Sequence, residues 1–428
     1  MFPKGFLLTV ATAIFLATTT TLIIFWARGY RPDFQEKTLK GTGLLVVNSL
    51  PTGAQVYLNE RLTTATNNTL NLIPGDYQVK IVKDGYLPWE KTLKLQKELV
   101  TQANALLLPV APSLEALTFT GIVKAVPSPD GQKIAFTTAS ASAEAKNGLY
   151  ILRLSGGPFS FRPETQQIGS QLGFDFLDAD FLWSPNSSQI LAYRQNEDGE
   201  IFQAVLLETD RLNNLPYSDQ TGLLPLMLGD WQQEVTEVTV ANLEKLPEKL
   251  KVVLKTNADG LYWSPNKEKI LYTATASAAL PDELLPPLPA SNTQPQNRKL
   301  EPGKIYVYDL KEDKNFAVGE FNRDKIPPLP DKQPLLAQIK RLNNSYSPVF
   351  SQPFQWYPDS QHLLISQENK ILIEEYDHTN QTTVYTGPLK NLVDNFAFVF
   401  PWPDGSKLVI LTSLNKDQPV NLYGIKIK

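Results

Sequence analysis

The chain has 428 residues, is 42% hydrophobic and 20% charged, and carries a formal net charge of −4. It contains no cysteine, which excludes disulfides, thiol nucleophiles and cysteine-ligated zinc or iron–sulfur sites. No long basic run is present, so the electrostatic footprint of a nucleic-acid binder is missing. The length allows two or three domains, and 33 prolines favour many turns over long helices.

In chain order, the first element is an apolar run. Phe6 to Ala27 holds no charge and no proline. As a helix it spans roughly 33 Å, enough for a bilayer core. Its six threonines dilute the hydrophobicity, but a threonine hydroxyl can bond back to its own helix. Trp26 and Tyr30 fall where an interfacial aromatic belt would lie. The run is longer than a signal-peptide core and no small-x-small cleavage site follows it. Residues 1–27 are therefore expected to be a short cytoplasmic start and an uncleaved transmembrane helix. Lys4 stands on one side and Arg28 and Arg31 on the other, a balance that slightly opposes export.

Residues 28–41 read as a polar tether of at most roughly 45 Å. A compact β-rich segment follows at 42–109. Gly43 to Ser49 is one strand. Pro51 and Gly53 then make a turn before Ala54 and the half-buried strand Val56-Tyr57-Leu58-Asn59. Pro74-Gly75-Asp76 is a second turn, after which Tyr77, Val79 and Ile81 share one face. Asp84-Gly85-Tyr86 turns again, and Trp89 to Leu95 reads as the last strand. These positions resemble the PEGA domain, a small β-sandwich of microbial surface proteins. Its Pro-x-Gly-Ala turn corresponds to Pro51, Gly53 and Ala54, and its Val-Tyr-Leu-Asn strand to Val56, Tyr57, Leu58 and Asn59. Its later Pro-Gly-x-Tyr turn and Gly-Tyr pair correspond to Gly75 and Tyr77, then Gly85 and Tyr86. Thr52 stands where the family has glutamate, and the usual glycine and Thr-Pro near 60–66 are missing. The resemblance implies an extracytoplasmic location and brings no catalytic residue.

From residue 110 onward one short unit recurs: an aromatic residue, a proline turn and an apolar strand. The first copy is Pro127-Ser128-Pro129-Asp130-Gly131 before Ile134-Ala135-Phe136. The next are Trp183-Ser184-Pro185-Asn186 and Trp263-Ser264-Pro265-Asn266. The last two are Trp356-Tyr357-Pro358-Asp359 and Trp402-Pro403-Asp404-Gly405. Proline fixes φ, Asp or Asn bonds the backbone two residues on, and glycine takes a positive φ. An alternating strand follows each copy, as at Leu149–Leu152, Ile201–Val205, Ile305–Tyr308, Ile371–Ile373 and Leu422–Ile425. The last two copies lie about one four-stranded blade apart. The pattern looks like the TolB-like propellers, whose blades carry a Trp-Ser-Pro-Asp-Gly turn before an Ile-Ala-Phe-type strand. The expected fold class is thus all-β: a small sandwich plus a β-propeller behind one N-terminal transmembrane helix. Five blades are legible, with room for a sixth or seventh. Leu114 to Thr120 would supply a strand that the last blade lacks, and the tryptophans would fill the gaps between blades.

Three insertions interrupt the repeats, at 211–258, 276–303 and 322–350. In an alternating meander all three fall on the face opposite the Ser-Pro-Asp-Gly turns. Part of the first reads as helix, with Leu243, Leu246, Leu250, Val253 and Leu254 on one face. Leu284–Pro289 and Ile326–Pro330 read as polyproline-like.

No Gly-x-Ser-x-Gly elbow and no phosphate loop is present. The two histidines, His362 and His378, have no third partner in the sequence for zinc. Asp175, Asp178 and Asp180 form the densest acidic cluster, without the glycine-centred loop of a calcium hand. No catalytic residue, metal or cofactor is expected. The sequence points to a non-enzymatic, single-pass membrane protein with its bulk outside the cytoplasm. Its insertion face would bind a protein or a glycan. The alternatives are a structural spacer of the envelope and an enzyme using a propeller channel.

Overall fold

The computed structural model describes residues 4–27, 30–33, 38–139, 141–154, 164–286, 288, 292–321, 333–346, 352–393, 396–415 and 418–428. The chain divides into two units. One comprises Met1–Val110 with Pro287–Pro295, the other Ala111–Pro286 with Gln296–Lys428.

The first unit begins with helix α1, Lys4–Ala27. It is the one helix among the described residues that is long and apolar enough to cross a membrane, with a mean hydropathy of 2.0 over Leu8–Trp26. Its threonines do bond backwards: the Thr9, Thr12 and Thr18 hydroxyls donate to Gly5, Leu8 and Ile14 carbonyls at 2.9, 2.9 and 2.8 Å. Each hydroxyl is thereby satisfied inside its own helix, which lowers the cost of placing it in hydrocarbon. Part of the expected tether is paired, as Tyr30–Asp33 runs antiparallel to Thr38–Gly41. Residues 28, 29 and 34–37 lie outside the described residues.

The sandwich has two sheets. Gln55–Leu58 is central in one, flanked by Arg61–Ala65 and by Gly75–Val82, with Trp89–Leu95 outermost. Gly43–Leu50 is central in the other, between Asn68–Leu72 and Val100–Leu106. The last strand is therefore Val100–Leu106 and not Trp89–Leu95. It pairs parallel to Gly43–Leu50, a long-range pairing that local alternation does not reveal. Inward positions Leu45, Val47, Val56, Val79, Ile81 and Trp89 form the core. On the outer strand, the Lys94 backbone N–H donates to Thr293 Oγ1 at 3.2 Å, and Gln294 Nε2 donates to the Thr92 carbonyl at 2.8 Å.

Among the described residues the second unit has five antiparallel sheets of three or four strands, besides two two-stranded pairs at Ala278–Ala279 with Lys299–Leu300 and at Asn391–Val393 with Phe396–Ala397. The first consists of Ala125–Pro127, Lys133–Thr138, Gly148–Arg153 and Glu164–Ser170. The second holds Asp180–Trp183, Gln189–Gln195 and Ile201–Glu208. Ala258–Trp263, Lys269–Ala274, Lys304–Asp309 and Lys314–Glu320 make the third. The fourth runs Phe354–Trp356, His362–Gln367, Lys370–Glu375 and Thr382–Thr386. The fifth has Val399–Pro401, Lys407–Thr412 and Asn421–Lys426, with Leu114–Ala116 added on its far edge.

The expectation of an all-β chain is overturned. Besides α1 there are three substantial helices: α2 at Leu224–Leu243, α3 at Glu248–Asn257 and α4 at Pro334–Tyr346. No sheet among the described residues closes into a propeller. The physical reason lies in which faces the helices cover. The first and second sheets pack through Ile151, Ile168, Phe181 and Trp183. The third and fourth meet through Val307, Phe316, Trp356 and Leu363. The fifth and first meet through Phe136, Leu152, Phe400 and Val409. Between the second and third sheets the succession breaks. There α2 and α4 set Leu228, Trp231 and Ile339 against Leu191 and Tyr193 of the second sheet. Helix α3 sets Leu250 and Leu254 against Tyr272 and Tyr306 of the third. Each large apolar side chain so buried is worth about 1.5–3 kcal/mol, and the segment's helical spacing cannot deliver that burial as a strand.

Candidate binding cleft

The repeated turns are local hydrogen-bonded joints. Ser128, Ser184 and Ser264 hydroxyls donate to the Oδ1 atoms of Asp130, Asn186 and Asn266 at 2.6, 2.8 and 2.8 Å. Each serine Oγ in turn accepts the N–H of the residue opening the next strand, Lys133, Gln189 or Lys269, each at 2.9 Å. The serine and the Asp or Asn two residues later thus define each turn, and Pro129, Pro185 and Pro265 stiffen it between them. Tyr357 replaces the serine in the fourth copy. Its hydroxyl donates instead to the Gly405 carbonyl of the fifth turn. The freed Asp359 accepts backbone N–H groups of Gln361 and His362 and pairs with His362 Nδ1 at 2.7 Å. Burial works to raise the Asp359 carboxyl, but His362 and those N–H groups outweigh it and hold it below the usual carboxylate range. In the fifth turn Asp404 Oδ1 accepts the Ser406 N–H at 2.7 Å, and Gly405 takes φ 67°.

The tryptophans divide into two groups. Trp183 is buried and its indole N–H donates to the Val126 carbonyl of the preceding sheet at 3.2 Å. Trp356 does the same to the Tyr262 carbonyl at 3.0 Å. Trp263 has the same sequence context, but its sheet follows the helices. Among the described residues its indole N–H makes no hydrogen bond, in contrast to those of Trp183 and Trp356. Trp402 is half-buried, with Lys407 Nζ 5.5 Å from its ring centre.

Trp263 instead lines a cleft of about 630 Å³. Pro129, Asp130, Pro185 and Pro265 bring the turns to its wall, while Trp356 and Phe400 come from the edge strands Phe354–Trp356 and Val399–Pro401. Helix α2 contributes Glu234, Val238 and Asn242, and α4 contributes Ser345 and Tyr346. The insertions at 211–258 and 322–350 were expected opposite the turns. That expectation fails, because helices from both line the same cleft as the turns. The polyproline reading of Ile326–Pro330 lies outside the described residues, as do Pro287 and Pro289 of the other stretch.

Three cleft groups have polar capacity left over among the described residues. The Tyr346 hydroxyl is buried and has no hydrogen-bond partner. Burial, then the nearby Glu234 charge, pushes its pKa well up, so it stays a neutral donor and acceptor. The exposed Glu234 carboxylate has no ion-pair partner, and the Trp263 indole is the third group. A buried hydroxyl left unpaired costs about 1–3 kcal/mol.

The PEGA-type positions make local turn and backbone contacts. Asn59 and Glu60 take φ 47° and 67°, the paired positive values of a tight hairpin turn. Asn59 Oδ1 also accepts the Gln78 N–H at 2.9 Å. The Ala54 N–H donates to the buried Thr66 hydroxyl at 2.9 Å, and the Tyr77 hydroxyl donates to the Ile73 carbonyl at 2.9 Å. Tyr57 Oη donates to Gln55 Oε1 at 3.0 Å. Tyr86 bridges to Pro109, Gly53 and Gly85 have φ 72° and 82°, and Gly75 opens its strand. Pro51 immediately follows Gly43–Leu50.

The acidic cluster is engaged by its neighbours. Asp178 meets Arg194 at 3.0 Å and Asp180 meets Lys124 at 2.7 Å, while Asp175 accepts Gln171 Nε2 at 2.7 Å. Among the described residues no group of three His, Asp or Glu side chains is arranged to hold a metal. Sequence reasoning missed Glu234, Val238 and Tyr346. Pro225 in the first turn of α2 and Pro334 opening α4 were available as start signals.

Comparison with solved structures finds distant likenesses. Putative TolB from Agrobacterium tumefaciens is 14% identical, with 73% of this chain and 76% of that chain covered and a TM-score of 0.20. The β-propeller domain of the Trilobed protease from Pyrococcus furiosus is 13% identical, covering 90% and 83%, at a TM-score of 0.17. The Dos1 propeller is 10% identical, covering 93% and 82%, at 0.19. TM-scores this low carry no inference about fold or function. No curated protein matches the chain. The firm likeness is confined to the N-terminal domain: residues 42–110 match the family model of the PEGA domain.

Proposed function

We propose that this chain is a membrane-anchored, non-enzymatic binding protein of the cell envelope. Helix α1 holds it in the membrane, the PEGA-like domain follows on the outer side, and the second unit offers its cleft to a protein or glycan. The observation that carries this reading is the cleft itself, one concave space lined by Trp263, whose indole makes no hydrogen bond among the described residues, and by the exposed Glu234. Outward orientation is supported by the PEGA match and is opposed only weakly by the charges flanking α1. Protease treatment of intact cells tests the placement. Cleavage within residues 111–428 is expected, and full protection of that unit contradicts the outward arrangement. Capture experiments with the full chain test binding. Failure of Trp263→Leu to reduce capture returns the second unit to a spacer role.

A further inference from the structure

From the composition of the cleft wall we infer that its ligand is cationic: a lysine or arginine side chain presented by an extended segment of a partner protein. This rests on the reading that the cleft is a binding site. Among the described lining residues there is no lysine and no arginine, while Asp130 and Glu234 are both present. An anionic ligand would meet two carboxylates and no counter-charge, so phosphates, acidic sugars and nucleic acid are disfavoured. The two carboxylates are not equivalent. Asp130 is committed to its own turn through Ser128 and the Gln132 N–H at 2.6 and 3.0 Å. Glu234 has no such commitment among the described residues and lines the same cleft as Trp263 and Tyr346.

An aromatic face and a free carboxylate lining one cleft suit an ammonium or guanidinium. The ring quadrupole attracts the charge and the carboxylate pairs with it. Trp263 is available because of the fold. In the second and fourth sheets the equivalent indoles are consumed by the preceding sheet, at Val126 and Tyr262. The helices that replace such a neighbour before the third sheet leave one indole unused and deliver Glu234 and Tyr346 to the same place.

The test is calorimetric titration of the detergent-solubilised full chain. The probes are a blocked five-residue Gly/Ser peptide with central arginine, the same peptide with citrulline, and a neutral tetrasaccharide of N-acetylglucosamine. The arginine peptide is expected to bind at least about tenfold tighter than the citrulline peptide. Glu234→Gln and Trp263→Leu are each expected to weaken it about tenfold, with the unfolding midpoint retained for Glu234→Gln on its exposed helix face. Equal binding of the two peptides overturns the cationic ligand. Binding of the tetrasaccharide alone, lost in Trp263→Leu, also overturns it but leaves the cleft as a binding site. No binding of any probe overturns both.

Discussion

Trp183 and Trp263 occupy the same place in the repeated sequence, yet the structure assigns them different work, and replacing each with phenylalanine separates the two. At Trp183, which is 1% exposed, the change removes a hydrogen bond to Val126 and part of a ring packed between two sheets. The Val126 carbonyl is only part-buried and is also paired in its own sheet with Ala135, so the lost indole bond costs its net worth of about 0.5–1.5 kcal/mol. The lost ring atoms add about 1–2 kcal/mol of transfer and cavity energy. Trp183→Phe is therefore expected to destabilise the second unit by about 2.5 kcal/mol. At roughly 2 °C per kcal/mol for a domain of this size, the midpoint falls by about 5 °C. Trp263→Phe removes no hydrogen bond from a half-buried ring, and the expected loss is under about 1 kcal/mol. Thermal and urea unfolding of the full chain in detergent, followed by far-UV circular dichroism, measures both. Equal losses, or a larger loss at Trp263, would refute the assignment of one indole to the joint and the other to the cleft.

Two glycines with positive φ should respond differently to alanine. At Gly53, φ 72°, an added Cβ meets only Lys83 Nζ at 3.8 Å, so the expected cost is the backbone term of about 1 kcal/mol. At Gly405, φ 67°, the Cβ falls 2.9 Å from the Tyr357 hydroxyl and 3.0 Å from Lys428 Nζ, and a clearly larger drop in midpoint is expected by the same unfolding assay. The pH dependence of stability should include His378. Its Nδ1 meets the fully buried Glu374 at 3.1 Å, and that hydrogen bond raises its pKa against the effect of burial. A histidine raised above its ordinary value of 6.5 stabilises the fold fully below that value, and the contribution fades as pH climbs through the folded pKa. His378→Gln should therefore cost more stability at pH 5.5 than at pH 8.5, and NMR titration of His378 should give a midpoint above about 6.5. A midpoint at or below that value would dismiss the pair.

Local chemistry was legible in the sequence, and remote pairing was not. The turn built on Ser184, Pro185 and Asn186 is complete within a few residues, so its residue types announce it. The strands after each turn alternate or run apolar, and those at Gly148–Arg153, Ile201–Glu208 and Asn421–Lys426 lie over the sequence-expected runs. The sandwich's final strand escaped because Val100–Leu106 is defined by its parallel partner, 56 residues away at Asn48 and Asn104. The helices α2 and α4 are hard to read because the high proline content favours turns over long helices, whereas in the first turn of a helix proline is tolerated. The cleft could not be read for the same reason. Nothing near Trp263 distinguishes it from Trp183. The difference is made by what stands on the other side of the ring, and that is supplied by α2 and α4.

The central claim is that the cleft between the turns and these helices is where the protein binds its partner. Placing photoreactive benzoylphenylalanine at Val238, which lines the cleft and is 57% exposed, and irradiating intact cells tests it most directly. Phe202, 50% exposed and not a cleft residue, is the control position. The account predicts an adduct at Val238 that is absent at Phe202 and is lost when Trp263→Leu is added. No adduct at Val238, or the same adduct at both positions regardless of Trp263, would contradict it.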